Sequence, residues 1–239
     1  MSTMTIWPEM YELNNEEYQE GSILGIRVKE TIDENYAPMK SKSVFGPKKW
    51  EVQKTGGGIY EGSWKVTSKG VLSGRTNEEG PTILWYTQGI CGAHMIEFQA
   101  ATVPPYRSDV NCLWSGNGKY VDAESAVSGG IGGWFPKIYS GIELENSMSS
   151  WVETGPLTAG RTYNLAAGRI TVRSKANEPK PIVLDFLFVD GKLVMQTQSP
   201  PGGYAGVSPW CSSQVALSTW NSHLLVYAYR VSQIEAVWS

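Results

Sequence analysis

The sequence predicts an all-β chain folded as two antiparallel sheets packed face to face, a jelly-roll sandwich. Glycine and proline, 26 and 13 residues, recur in clusters such as Gly56-Gly57-Gly58, Pro104-Pro105, Gly129-Gly130 and Pro200-Pro201-Gly202-Gly203. Between the clusters lie short segments of alternating polarity, the pattern of many strands joined by turns. Helical periodicity is nearly absent, and 10 tryptophans and 12 tyrosines suit pleated, half-buried surfaces. Such strands around one core support two packed sheets. An up-and-down barrel is the competing architecture, and the long connection from Lys119 to Lys137 favours the sandwich.

In chain order, strands are expected at Gly62 to Val71 around Trp64, Thr82 to Tyr86, His94 to Ala101, Asp109 to Ser115, Ser140 to Asn146, Tyr163 to Ser174, Val215 to Ser218 and His223 to Ile234. The clearest hairpin runs from Ile182 to Gln198 and turns at Asp190-Gly191, because a two-residue hairpin turn needs residues that tolerate positive φ. Residues 1–48 are the least patterned and read as an extension packed on the sandwich. The whole chain, 1–239, is expected to be one domain, a usual length for sandwiches. A chain of this size buries enough surface to need neither disulfide nor metal for its core.

Charge excludes several function classes. Twenty Lys and Arg against 23 Asp and Glu give a net charge of -3, with no basic stripe for nucleic acid and no acidic tail. No apolar run reaches the ~18 residues of a membrane span. Cys91, Cys112 and Cys211 are far apart, with no metal-ligand spacing, and a disulfide framework is not expected. The start of the chain has no basic segment followed by an apolar one, so the chain is read as cytoplasmic. Phosphate-binding, dinucleotide-binding and nucleophile-elbow motifs are absent. Two histidines rule out a three-histidine zinc site, while a carboxylate calcium site around Asp122 and Glu124 stays open. No cofactor is expected.

Alternation assigns side chains to faces. Ile96 and Phe98 oppose Glu97 and Gln99; Val110, Cys112 and Trp114 oppose Asp109, Asn111 and Leu113; Ile142 and Leu144 oppose Glu143 and Glu145. The simplest reading of such faces is contact with water. Two features favour a site: the carboxylates do not alternate with lysines, and a Gly- and Trp-rich stretch, Ser128 to Gly141, lies between them. Saccharide recognition needs flat aromatic faces and planar polar groups. Trp134, Phe135, Tyr139, Trp151 and Trp210 are candidates for the first, and Asp109, Asn111, Glu143, Glu145 and Arg107 for the second. Trp64 and Trp114 read as core.

Glycoside hydrolysis uses two carboxyl groups about 5 to 9.5 Å apart, a spacing open to Glu143 with Glu145 or to Glu143 with Asp109. A lyase needs a base such as His94, His223 or Tyr139, with Arg107 or Asn111 opposite a uronate carboxylate. A histidine in a strand is more often structural.

Three segments, YEGSWKVTSKGVLSG (Tyr60 to Gly74), SDVNCLW (Ser108 to Trp114) and LFVDGKLVMQTQSP (Leu187 to Pro200), stand out. Together they resemble the concanavalin and galectin-like, laminin-G superfamily of jelly rolls, nearest to YesU-like proteins and to 3-keto-glycoside hydrolase-type proteins. The resemblance spans about residues 55–237 and implies a concave sheet bearing a sugar site with Asp109 and Asn111 upon it. The E-x-D-x-x-E strand of laminarinase-type hydrolases is missing. The expected function is a glycoside hydrolase or polysaccharide lyase acting on a saccharide bound on that sheet. Alternatives are a non-catalytic sugar-binding module, and an isomerase or cyclase holding a small apolar metabolite between the sheets.

Overall fold

In the computed structural model the described residues are 7–36, 49–53, 64–67, 71–73, 81–107, 109–118, 126–133, 139–144, 147–153, 157–177, 181–199, 212–220 and 222–239, and none is helical. The strands in order are β1 (Met10–Glu12), β2 (Glu17–Tyr18), β3 (Gly21–Tyr36), β4 (Trp50–Val52), β5 (Trp64–Val66), β6 (Val71–Ser73), β7 (Pro81–Tyr86) and β8 (His94–Thr102). They continue with β9 (Val110–Gly116), β10 (Val127–Gly133), β11 (Tyr139–Leu144), β12 (Ser147–Glu153), β13 (Tyr163–Arg173), β14 (Pro181–Val189), β15 (Lys192–Ser199), β16 (Gln214–Trp220) and β17 (Leu224–Trp238). All pairings are antiparallel and form two sheets. A seven-stranded sheet runs β12-β11-β10-β9-β16-β7-β4, and a ten-stranded one follows β1-β3-β17-β8-β13-β14-β15, with β2, β5 and β6 attached beside this path.

Every expected strand but one has a counterpart, and the hairpin turns at Asp190 (φ 49°) and Gly191 (φ 77°). Three expectations need correction. Gly62 to Val71 is not one strand, because β5 and β6 pair antiparallel with Trp64 opposite Ser73. The connection Lys119 to Lys137 contains a central strand, β10, whose glycines look like a turn in sequence. A methyl group at Gly130 would collide with the Val110 carbonyl and the Asn111 side chain, so close approach to β9 requires glycine there. Cys91 is disulfide-bonded, against the expectation drawn from cysteine spacing, while Cys112 is free and buried.

The two sheets enclose the main core, which includes Trp50, Phe98, Trp114, Leu187, Leu217 and Tyr229, each 2% exposed or less. The ten-stranded sheet buries its other face as well. Residues 7–36 fold across it, and Tyr11, Ile23 and Ile26 meet Met95, Phe186 and Phe188 in a second core. The sheet rolls until its first strand reaches its last: the Tyr11 ring lies 4.8 Å from that of Phe188, and the Asn14 N–H donates to Gln196 Oε1 at 3.1 Å.

Burial on both faces forces polar groups of this sheet into pairs. Glu97, read in sequence as part of a polar face, is wholly buried. Its carboxylate accepts from Arg230 Nη2 at 2.7 Å and from the Tyr11 hydroxyl at 2.7 Å. Facing the main core, Arg169 makes a two-pronged pair with Asp185 at 2.9 Å, and Trp114 Nε1 donates to the same carboxylate at 2.7 Å. Replacing Arg230 by Met should lower unfolding free energy by about 3 to 5 kcal/mol, because it strands the Glu97 charge. Denaturant titration checks this, and the double change with Glu97→Gln should recover a large part of the loss.

Candidate functional site

The outer face of the seven-stranded sheet divides in two. Val110, Cys112 and Trp114 of β9, and Val215 and Leu217 of β16, point into the main core, so Asn111 and Leu113, and Ala216, Ser218 and Trp220, alternate onto the outer face. At one end Ile83, Trp85, Leu113, Ala126 and Ala216 form a third buried apolar cluster. Leu113 is therefore covered, not part of a wet polar face. The other end carries Asn111, Ser218 and Trp220. Trp220 is 49% exposed, a large apolar side chain left in water.

Asp109 adjoins this end. It stands just before β9 with φ 60°, a conformation in which Asp is among the few tolerated side chains. Its carbonyl accepts from the Thr219 hydroxyl at 2.8 Å. Its side chain is 7% exposed, and its carboxyl accepts hydrogen bonds from the Trp220 backbone N–H and the Asn111 amide. Burial pushes this carboxyl up to about 7; the two donors pull the other way without cancelling it. Asn111 Oδ1 lies against Gly130 and is buried with no donor.

Register extends the row. Ser218 and Gly130 flank Asn111, Gly141 pairs with Gly130, and Trp151 pairs with Gly141. Two adjacent glycines lie between Asn111 and the Trp151 position, and the Asn111 side chain occupies the space over Gly130. Ser128 pairs with both Leu113 and Glu143, which sets Glu143 two strands away from β9 and four residues along from Asp109. A strand spacing of ~4.8 Å and a rise of ~3.3 Å per residue place their Cα atoms roughly 16 Å apart. Asp109 with Glu143 is thus not a carboxylate pair of hydrolytic spacing.

His94 does not join the site. It is 1% exposed and belongs to the other sheet. Nε2 accepts from the Ser115 backbone N–H at 3.2 Å, which fixes the proton on Nδ1, donated to the Gly92 carbonyl at 2.8 Å. Burial lowers its titration to about 4, so it is a neutral histidine locking the β9 end, where Ser115 has φ 55°. Arg107 is exposed on the loop before Asp109. Tyr139 opens β11 opposite Gly133. Glu145, Trp134, Trp210 and the Asp122 and Glu124 pair lie outside the described residues. Among the described residues no group of three or more His, Cys, Asp or Glu is placed to hold a metal ion. Trp220 is absent from the sequence candidates, although the alternation of VALSTW puts it opposite Val215 and Leu217.

No family model matches the chain, and no curated protein sequence does. Solved structures do. Peanut lectin with a nine-residue peptide matches with a TM-score of 0.54 and 9% identity, over 88% of this chain and all of the lectin chain. An alginate lyase Aly36B variant in complex with alginate trisaccharide gives 0.53 and 10%, over 81% and 90%. The Emp46p carbohydrate recognition domain in its metal-free form gives 0.52 and 11%, over 83% and 94%. At these identities the likeness establishes the fold, a lectin-type jelly-roll sandwich.

The Asp109 shift has a stability consequence. A folded-state value of about 7 against an ordinary 3.8 means that the fold holds the proton more tightly than the unfolded chain. Its favourable contribution is complete below pH ~4 and is lost as pH rises through ~7. Relative to Asp109→Asn, the wild type should lose roughly 3 to 4 kcal/mol between pH 4 and pH 8. Paired denaturation curves at the two pH values measure this, and a pH-independent difference would contradict it.

Proposed function

We propose that this chain is a saccharide-binding domain whose site is the open end of the seven-stranded sheet, built on Trp220, Asn111 and Asp109. The carrying observation is the exposed Trp220 indole beside an Asp–Asn pair already fixed by hydrogen bonds. An aromatic face covers the apolar side of a sugar ring, and planar polar groups held in place bind hydroxyls without first losing side-chain freedom. The three structural neighbours fit this reading, since their names describe a lectin, a carbohydrate recognition domain and an alginate lyase with its saccharide. So does the resemblance of the Ser108 to Trp114 segment to YesU-like and 3-keto-glycoside hydrolase-type proteins.

A second reading, glycoside hydrolysis or lyase action, draws on one observation: a carboxyl raised to about 7 is the property of a general acid. It lacks a second carboxylate at working distance among the described residues, and His94 is unavailable as a base. The disulfide at Cys91 supports an oxidising compartment in place of the cytoplasm, where extracellular glycans are met.

Glycan-array screening followed by calorimetry tests the proposal. Trp220→Ala should weaken binding of any glycan found by roughly 10- to 100-fold with an unchanged melting curve, and Asn111→Ala by roughly tenfold with a lowered melting temperature, because it also removes a donor from the buried Asp109 carboxyl. Binding that is indifferent to both changes would remove the site. Release of shortened saccharide or an unsaturated product by the wild type, abolished in Asp109→Asn, would favour the second reading.

A further inference from the structure

We infer that Cys91 and Cys211 form a redox-dependent clamp at the end of the sandwich opposite Trp220, tying together two connections that cross from sheet to sheet. The chain has three cysteines. Cys91 is disulfide-bonded, and Cys112 is free and buried in the main core. Cys211, outside the described residues, is left as the partner.

Topology brings the two connections together. Residues 87–93 lead from β7 in the seven-stranded sheet to β8 in the ten-stranded one, and residues 200–213 lead from β15 back to β16. They are laddered at one step: the Ile90 N–H donates to the Ser213 carbonyl at 2.7 Å, and the Ser213 N–H to the Ile90 carbonyl at 3.1 Å. A methyl group at Gly89 would sit 2.8 Å from the Ser212 Cα, and Gln214 Nε2 donates to the Thr87 carbonyl at 2.7 Å. Cys91 follows directly on Ile90 and Cys211 stands two residues before Ser213, so both are tethered to that step. A backbone pair of this kind holds its Cα atoms ~5.5 Å apart, within the ~4.4 to 6.8 Å that a disulfide spans.

The Cys91 segment is also bound into the fold from its other side. Gln233 Nε2 donates to the Cys91 carbonyl at 3.2 Å, the Ile234 N–H to the Ala93 carbonyl at 3.2 Å, and His94 Nδ1 to the Gly92 carbonyl at 2.8 Å. The bond thus pins the connection into β16 against an anchored segment. Cys91 is exposed, and an exposed disulfide is open to thiol exchange. With a dithiol reductant the S–S bond breaks, two S–H groups form here, and the reductant closes its own disulfide. Because the link joins positions about 120 residues apart, it restricts the unfolded chain strongly, and its loss loosens the fold.

Mass mapping and melting test the clamp on the full chain. Arg107, Lys119 and Lys192 let trypsin place the three cysteines on separate peptides. Alkylation of the denatured, unreduced chain should label Cys112 alone, with the Cys91 and Cys211 peptides joined. Dithiothreitol should lower the melting temperature by about 5 to 15 °C. Below that temperature it should speed exchange of the Ile90 and Ser213 amides at least about tenfold, with the amides between β8 and β13 unchanged. Cys91→Ser, Cys211→Ser and the double change should each reproduce the same drop without reductant. A linked peptide containing Cys112, a bond between two chains on a non-reducing gel, or labelling of all three cysteines would overturn the pairing. Melting and exchange indifferent to dithiothreitol would overturn the clamp, a result read on the wild type even where a serine variant does not fold.

Discussion

Burial of the ten-stranded sheet on both faces is the constraint from which most of the molecule follows. One face packs on the seven-stranded sheet around Trp114 and Phe98, and the other is closed by residues 7–36 around Phe186 and Phe188. The charges that this burial encloses must be paired, as Glu97–Arg230 and Asp185–Arg169 are. Burial must also neutralise the sheet's histidine, which is why His94 titrates low and keeps both ring nitrogens bonded. The candidate site lies on the outer side of the other sheet.

There the third apolar cluster closes one end and leaves the Trp220 side chain exposed at the other. Close packing of β10 on β9 sets the geometry of that end: because residue 130 is glycine, Asn111 lies flat over the backbone and its amide reaches Asp109. Asp109 in turn ties Trp220 by its backbone N–H, so the platform and the polar pair are fixed by one network. The strained φ of Asp109 and its raised carboxyl both trace to a chain turning inward where solvent is excluded.

Most strands are legible in the sequence because alternation and turn chemistry act locally. The Asp190-Gly191 hairpin and the inward set Val110, Cys112, Trp114 need no tertiary information. What escapes depends on it. Glycines of β10 read as a turn because only the neighbouring Val110 carbonyl shows why a strand must lack side chains there. Glu97 reads as solvent-facing because alternation reports a face and not what covers it, and β1 to β3 come from the stretch with the weakest pattern. Asp109 and Asn111 emerge together, through their own alternation and a resemblance. Trp220, at the end of a short strand expected to stop at Ser218, is missed by two residues.

Joining Trp220 to Asp109 and Asn111 as one ligand surface is the central claim. The most direct measurement is a crystal structure of the chain with a bound neutral oligosaccharide. A sugar ring stacked on Trp220, with a hydroxyl bonded to the Asn111 side chain, is the predicted result. A ring seated elsewhere, with Trp220 and Asn111 uncontacted, would contradict the account.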